Sequence, residues 1–360
     1  MPNRSNSSPA APQSPRSRYT TGTPAADAAI ANLVKGFGDA SFDQTLLAEL
    51  MTSAYRLGQD GATTGDLKIL NTALKELRYA FAIFRPYRHV RKVAVFGSAR
   101  TTARHPSYPM AQRFGKVMAE TGWMVITGAA SGIMKAGHEG AGREASFGLN
   151  IRLPFEQGAN PIIARDRKLI TCKYFFTRKL LFVKESHATV LFPGGFGTLD
   201  EGFELLTLVQ TGKTDPRPIV FVETPAGDFW KPLLEFMDRR LVETGMISAS
   251  DRAIYQVARS ADEAAAMIRQ FYVVYHSARY VGSTLVLRLQ RALPRPVVEQ
   301  LNRAFTDLLL PNTAMTLSKP LPEEAEEQDL QHLPRLIVPF NRREYGRLIE
   351  MIRHINASPA

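Results

Sequence analysis

The residues best suited to chemistry lie in one run, Leu191-Phe192-Pro193-Gly194-Gly195-Phe196-Gly197-Thr198-Leu199-Asp200-Glu201. The apolar stretch 188–192 reads as a buried strand that breaks into a glycine turn, and a helical pattern starts at Thr198 and continues to about Thr211. Glycines at 194, 195 and 197 strip side chains from the turn, so a ligand could approach the backbone closely. Thr198 reads as the helix cap, where unpaired N–H groups offer a site for an anion. Glu201 follows one turn inside, with Glu204 on the same face at i,i+3. Asp200 reads as a capping carboxylate. A phosphate on bare amides with a carboxylate one turn away is a layout for chemistry on a phosphorylated sugar.

Those residues need a scaffold, and the sequence supplies alternating elements. Short apolar runs at 92–96, 123–127, 148–153, 188–192 and 218–222 read as strands, with helices between them, at 109–121 and from Gly132 among others, and one more at 229–243. Strands alternating with helices imply an α/β fold, a Rossmann-like doubly wound parallel sheet. In such sheets ligands sit at the carboxyl ends of the strands. Three turns converge there: Gly97-Ser98, Gly128 to Gly132, and Gly194 to Thr198. No Gly-Lys-Ser/Thr follows any of them, and Gly195-Phe196-Gly197 lacks the third glycine of a dinucleotide fingerprint.

The expected organisation is a disordered basic tail over 1–25, a helical N-terminal segment over 26–88, the Rossmann-like domain over 89–260 and a small α+β extension over 261–360. In that extension the pattern predicts a helix over 262–275, a strand over 283–289, a helix over 296–309, a strand over 314–318, an acidic linker over 323–329, a strand over 335–340 and a helix over 343–355. The net charge of +11 favours anionic ligands, although a generally basic surface with a basic tail accounts for it equally well. A single cysteine, Cys172, excludes an internal disulfide framework and fits a reducing compartment. The first 25 residues lack the apolar core of a secretory signal, and no stretch is long enough to span a bilayer, so the expected location is cytoplasmic and no membrane partner is expected.

Pro193-Gly194-Gly195-x-Gly197-Thr198-x-x-Glu201, preceded by Arg178-Lys179, resembles the paired signature of the Lonely Guy (LOG) family of phosphoribohydrolases, over roughly 91–245. The resemblance implies cleavage of the base from nucleoside 5′-monophosphates, releasing ribose 5-phosphate. The wording at Tyr174-Phe175-Phe176-Thr177 and at Phe155-Glu156-Gln157 with Asn160-Pro161 is closer to the longer bacterial nucleotide nucleosidases than to the short plant-type enzymes. Phe175-Phe176-Thr177 stands where the short enzymes carry Met-His-Glu, which points away from cytokinin specificity. Many relatives carry a lysine decarboxylase label, for which no residue context here supports a Schiff base. The family also implies at least a homodimer, and the terminal extensions could host a nucleotide effector.

On this reading Glu201 stabilises charge building on the ribose and orients the attacking water, the competing role being a carboxylate favoured by the helix dipole. Glu204 reads more as an ordinary helix residue than as a site group. Arg178 is implied to be catalytic, binding phosphate or ribose oxygens, with an ordinary salt bridge as competitor. Lys179 is a candidate substrate contact, but it points about 100° away on an ideal helix, so its place in the signature could instead be structural. The phosphate cradle is expected from Gly194, Gly195, Gly197, Thr198, Ser98 and Gly128. Phe175 or Tyr174 could stack on the base, and Met134 could line the pocket; for all three the alternative is core packing. His138 and His187 read as structural, and neither a metal nor a cofactor is expected. The competing function is a non-catalytic nucleotide sensor or carrier of the same fold. A nucleic-acid role ranks third.

Overall fold

The computed structural model describes residues 19–38, 43–154 and 158–358. The basic tail up to residue 18 and the Phe155-Glu156-Gln157 triplet lie outside them. The chain forms two compact units, Met1–Leu74 and Lys75–Ala360. The first holds α1 (Pro24–Lys35), α2 (Gln44–Gln59) and the opening turns of α3 (Thr64–Phe84). Asp43 caps α2 by accepting from the Leu46 amide at 3.0 Å, and Asp27 accepts from the Thr21 amide and hydroxyl ahead of α1.

The second unit is built on β1 (Lys92–Phe96), α4 (Ser107–Glu120), β2 (Met124–Thr127), α5 (Ile133–Ala141), β3 (Ser146–Ile151), β4 (Leu169–Cys172), α6 (Phe175–Glu185), β5 (Ala188–Leu191), α7 (Phe196–Gln210), β6 (Ile219–Val222), α8 (Lys231–Phe236), β7 (Tyr255–Ala258) and α9 (Ala261–Gln270). The seven strands form one parallel sheet in the order β4-β3-β2-β1-β5-β6-β7. All five residues of β1 are buried, as continuous apolar strands covered on both faces must be. The chain winds outward from β1 to β4, then crosses back to β5, so the strand order reverses between β1 and β5. That switch point opens a crevice at the carboxyl ends of the two central strands.

The remainder folds as β8 (Tyr275–Val281), β9 (Thr284–Leu289), α10 (Arg295–Ala304), β10 (Thr316–Ser318), β11 (Arg335–Val338) and α11 (Tyr345–Ala357), with the strands in an antiparallel sheet ordered β10-β11-β9-β8. The sequence pattern missed β4, β7 and β8. The first two are four-residue strands with polar positions, and β8 is mostly half-buried, with a register shift between Tyr275 and Ser277 that breaks any alternation. The helix predicted over 262–275 ends at Gln270, because Tyr275 already belongs to β8. The helix predicted over 229–243 shortens to α8, followed by a wider π-type turn at Met237–Val242.

The acidic run is not a linker. Glu324 is fully buried, accepting from Arg288 Nε at 2.9 Å, Arg335 Nε at 2.9 Å and the Leu321 amide at 3.1 Å. Burial alone would raise its pKa, but the Arg335, Leu321 and Arg288 donors hold it at about 2. This paired carboxylate ties the segment to β9 and β11.

The helices α4 and α5 touch through their backbones. A methyl group at Gly140 would stand 1.8 Å from the Gln112 carbonyl oxygen, and one at Gly115 would stand 2.2 Å from that of Gly137. This contact sets the position of α5 and of the turn before it. Gly140→Ala is expected to lower unfolding free energy by about 1–3 kcal/mol in urea titrations, as overpacking of a tight contact does; an unchanged midpoint would mean that the two helices are not held this closely.

Candidate active site

Three turns meet at the switch point and are bonded to one another. The Ser98 amide donates to the Pro193 carbonyl at 3.1 Å, and the Ile133 amide donates to the Ser98 carbonyl at 3.1 Å. Gly132 sits at φ +63, and a methyl there would lie 2.2 Å from the Ser98 carbonyl oxygen, so only glycine closes this junction. Gly194 is the second obligatory glycine: a methyl there would lie 2.2 Å from Thr198 Oγ1 and 2.9 Å from the Ser98 nitrogen.

The cleft above these turns has a volume of about 720 Å³ and is lined by Ser98, Arg100, Met134, Phe175, Arg178, Gly195, Phe196, Gly197, Thr198 and Glu201, with Ile151 and Leu153 on the apolar side. Two expected cradle residues stand behind this lining. Gly194 packs on Thr198, and Gly128 packs on Arg178. A smaller cavity of about 410 Å³, lined by Arg143, Arg165 and Arg167, lies near the amino ends of β3 and β4, away from the glycine turns.

The helix that opens the cleft starts earlier than its sequence pattern indicates. Gly195 caps α7, and both the Thr198 and Leu199 amides donate to the Gly195 carbonyl, at 3.0 and 3.1 Å. Thr198 is therefore not the cap, and its amide is already used. Among the described residues, the amides of Gly195, Phe196 and Gly197 at this helix start have no acceptor. The Thr198 hydroxyl makes no hydrogen bond among the described residues, which leaves it for a ligand.

Arg178 projects from α6 into this cleft. Among the described residues no carboxylate or carbonyl accepts from its guanidinium, and Nε is buried without a partner. The expected competitor, an ordinary salt bridge, is absent there. Its nearest companions are the rings of Phe175 and Phe182, at 5.8 and 5.4 Å from the guanidinium carbon. A methyl at Gly128 would stand 3.3 Å from Nη2, so the bare backbone there makes room for the guanidinium. Burial pushes the Arg178 pKa down while Glu201 pulls it back up.

Glu201 is 4% exposed. Burial raises its pKa to about 7, against the opposing pull of Lys179 and Arg178. Lys179 does not point away from the acidic residues: its ammonium lies 2.9 Å from Asp200, 2.8 Å from Glu204 and 3.9 Å from Glu201. Asp200 and Glu204 are thus partners of Lys179; Asp200 is no helix cap, and neither Lys179 nor Glu204 lines the cleft. Tyr174 stacks on Phe176 at 5.3 Å, whereas Phe175 is 53% exposed and lines the cleft. Met134 lines it as well.

His138 is buried in a network with Thr127, the Phe147 carbonyl and Asn160, and burial lowers its pKa to about 4. His187 accepts from the Lys92 amide, and its pKa falls to about 3, from burial first and then from Arg91 and Lys92. Both are neutral structural histidines. Among the described residues no cluster of His, Cys, Asp or Glu could hold a metal ion.

A family model described as "Possible lysine decarboxylase" matches residues 127–268. The "Probable cytokinin riboside 5'-monophosphate phosphoribohydrolase LOGL3" of Oryza sativa subsp. japonica is 35% identical over 99 residues, 28% of this chain and 44% of that protein. The "Probable cytokinin riboside 5'-monophosphate phosphoribohydrolase LOG4" of the same plant is 26% identical over 179 residues, 48% of this chain and 74% of that protein. The parallel-sheet domain of this chain is thus similar in sequence to the LOG phosphoribohydrolases. The chain spans less than half the length of the rice LOGL3. The molybdenum cofactor carrier protein MCP of Chlamydomonas reinhardtii aligns over 50% of this chain and 97% of its own at 22% identity with a TM-score of 0.35, too shallow a likeness to speak for a ligand.

Sequence reasoning missed three parts of the site. Arg100 lines the cleft two residues beyond the Gly97-Ser98 turn, a position that the strand-end pattern could have flagged. Phe196 contributes a free amide and a ring that is 93% exposed. Glu76 accepts from the Lys173 amide and the Thr177 hydroxyl, both at 2.6 Å, and so fixes the start of α6; nothing local in the sequence marks a partner 97 residues away.

The raised pKa of Glu201 has a sign for stability. Between its ordinary value of 4.5 and about 7, the folded domain binds a proton that the unfolded chain has released, so stability falls as pH rises through that window. The full cost above pH 7 is on the order of 3 kcal/mol. Glu201→Gln removes it: its Tm is expected to exceed that of the wild type at pH 8.5, with the gap closing towards pH 4.5. A Tm difference that does not change with pH would contradict the raised pKa.

Proposed function

We propose that the protein hydrolyses the N-glycosidic bond of nucleoside 5′-monophosphates, giving free base and ribose 5-phosphate. The observation that carries this reading is a buried cation without an anion, Arg178, facing a buried carboxylate, Glu201, across a turn of free amides. The amides of Gly195, Phe196 and Gly197 with the Thr198 hydroxyl take the phosphate, and Arg100 adds a second charge at the rim. Arg178 holds the phosphate or ribose oxygens against Glu201. As the C1′–N bond breaks, positive charge grows on C1′ and the ring oxygen, and the Glu201 carboxylate stabilises it. Water bonds to C1′ and passes its proton to Glu201, while the base leaves with the electron pair of the C1′–N bond and takes up a proton from solvent; Glu201 then returns its own proton to solvent. Phe175 and Leu153 offer the base an apolar seat.

The long bacterial branch of the family is the reading adopted for the whole chain, with at least a dimer, since Phe176, Leu180 and Phe196 expose apolar surface beside the cleft. A cytoplasmic location fits the lone buried thiol of Cys172 and the absence, among the described residues, of any helix long and apolar enough to cross a membrane. No cofactor is invoked, and nucleic acid is not the proposed partner. Effector binding by the terminal extensions is a further expectation of that branch.

AMP, GMP, CMP, UMP and a cytokinin nucleotide incubated with pure protein, followed by chromatography, provide the test. Release of base from at least one is expected, with kcat/KM rising as pH increases through about 7, where Glu201 ionises. Glu201→Gln should lower turnover by at least about 10²-fold. Tight nucleotide binding without any release would favour the carrier reading instead.

A further inference from the structure

The hydrolase reading leaves one charged side chain at the site without a task. Lys179 is next to Arg178 in sequence, yet the two cations have opposite fates. The Lys179 ammonium, with its side chain 16% exposed, meets Asp200 at 2.9 Å, Glu204 at 2.8 Å and Glu201 at 3.9 Å. Arg178 meets none. Two of the three carboxylates, Asp200 at the edge of the cleft and Glu204 beyond it, are thus paired directly with the ammonium, and Glu201 stays inside the cleft.

We infer that Lys179 is a positioning residue: by clamping Asp200 and Glu204 while standing near Glu201, it keeps the acidic cluster off Arg178 and steadies the ionised form of Glu201 in a desolvated seat. This rests on the proposed hydrolase reading for its meaning, not for its geometry. The charged groups bearing on Glu201 are Lys179 and Arg178 from α6, and Glu204 and Asp200 from its own helix. The two cations favour its ionised form and the two carboxylates oppose it. Removing Lys179 must then make Glu201 harder to ionise. Removing Glu204 must do the opposite, because a like charge disappears and the shared ammonium turns further towards Glu201. A residue that merely braces two helices would not produce shifts of opposite sign.

Lys179→Met and Glu204→Gln provide the test, read in two ways: the acid limb of kcat/KM against pH, and a titration of protein labelled with 13C at the glutamate carboxyl, with Glu201→Gln assigning the signal. The limb and the titration midpoint should move up by about one pH unit in Lys179→Met and down in Glu204→Gln. Lys179→Arg should restore most of the wild-type midpoint. If Lys179→Met leaves the midpoint unchanged, whatever its stability, the inference is overturned. If Lys179→Met does not fold, Lys179→Gln takes its place, and an absent or downward shift of the midpoint there overturns the inference. If the wild type releases no base from any nucleotide, the hydrolase reading fails, and the carboxyl titration still decides the role of Lys179.

Discussion

A guanidinium carried out of water without an anion beside it is costly, and proteins rarely leave one so. Arg178 is held in that state. Three carboxylates lie on the neighbouring helix, and Lys179 occupies two of them directly while standing near the third. Gly128 withholds a side chain that would press on the guanidinium, and the rings of Phe175 and Phe182 shield it. The result is a cation reserved for something that arrives from solution. Glu201 is the complementary case, a carboxylate whose seat makes its charge expensive. Together they make both charges costly at the cleft, and on the proposed reading a phosphorylated sugar would relieve both: its oxygens would satisfy the guanidinium, and its developing positive charge the carboxylate.

The rest of the unit serves to hold these two groups at a fixed separation. The parallel sheet brings β1 and β5 side by side at the point where strand order reverses, and their carboxyl ends deliver the Gly97 and Gly194 turns to one place. The third turn is carried by α5, whose distance from the sheet depends on the bare backbone contact with α4. Glu76 anchors the start of α6, and hence the starting point of Arg178 and Lys179. The C-terminal sheet solves a separate problem in a similar way, with Glu324 buried between Arg288 and Arg335.

Much of this was legible in the sequence, and the reasons are local. Continuous apolar runs fixed β1, β5 and β6 to within a residue or two, because strands buried on both faces admit little else. The glycine turn and its acidic follower stood out for the same reason. What failed depended on distant partners. The start of α7 was misplaced to Thr198, because glycine and phenylalanine are poor advertisements for a helix whose first turn is capped by main chain alone. The ideal-helix angle points Lys179 away from the site, yet its long, flexible stem brings the ammonium onto the acidic flank of α7. The acidic run around Glu324 looked like a solvated linker, since nothing near it announces the two arginines that bury it. The strands β4, β7 and β8 were lost because short or half-buried strands carry too few apolar residues to rise above a loop.

A crystal structure of Glu201→Gln with AMP bound tests the central claim most directly. The account predicts the phosphate on the amides of Gly195, Phe196 and Gly197, the Arg178 guanidinium within hydrogen-bond distance of phosphate or ribose oxygens, and the side chain at position 201 beside C1′. A nucleotide seated elsewhere, or Arg178 still without an anion while the cleft is full, would contradict it.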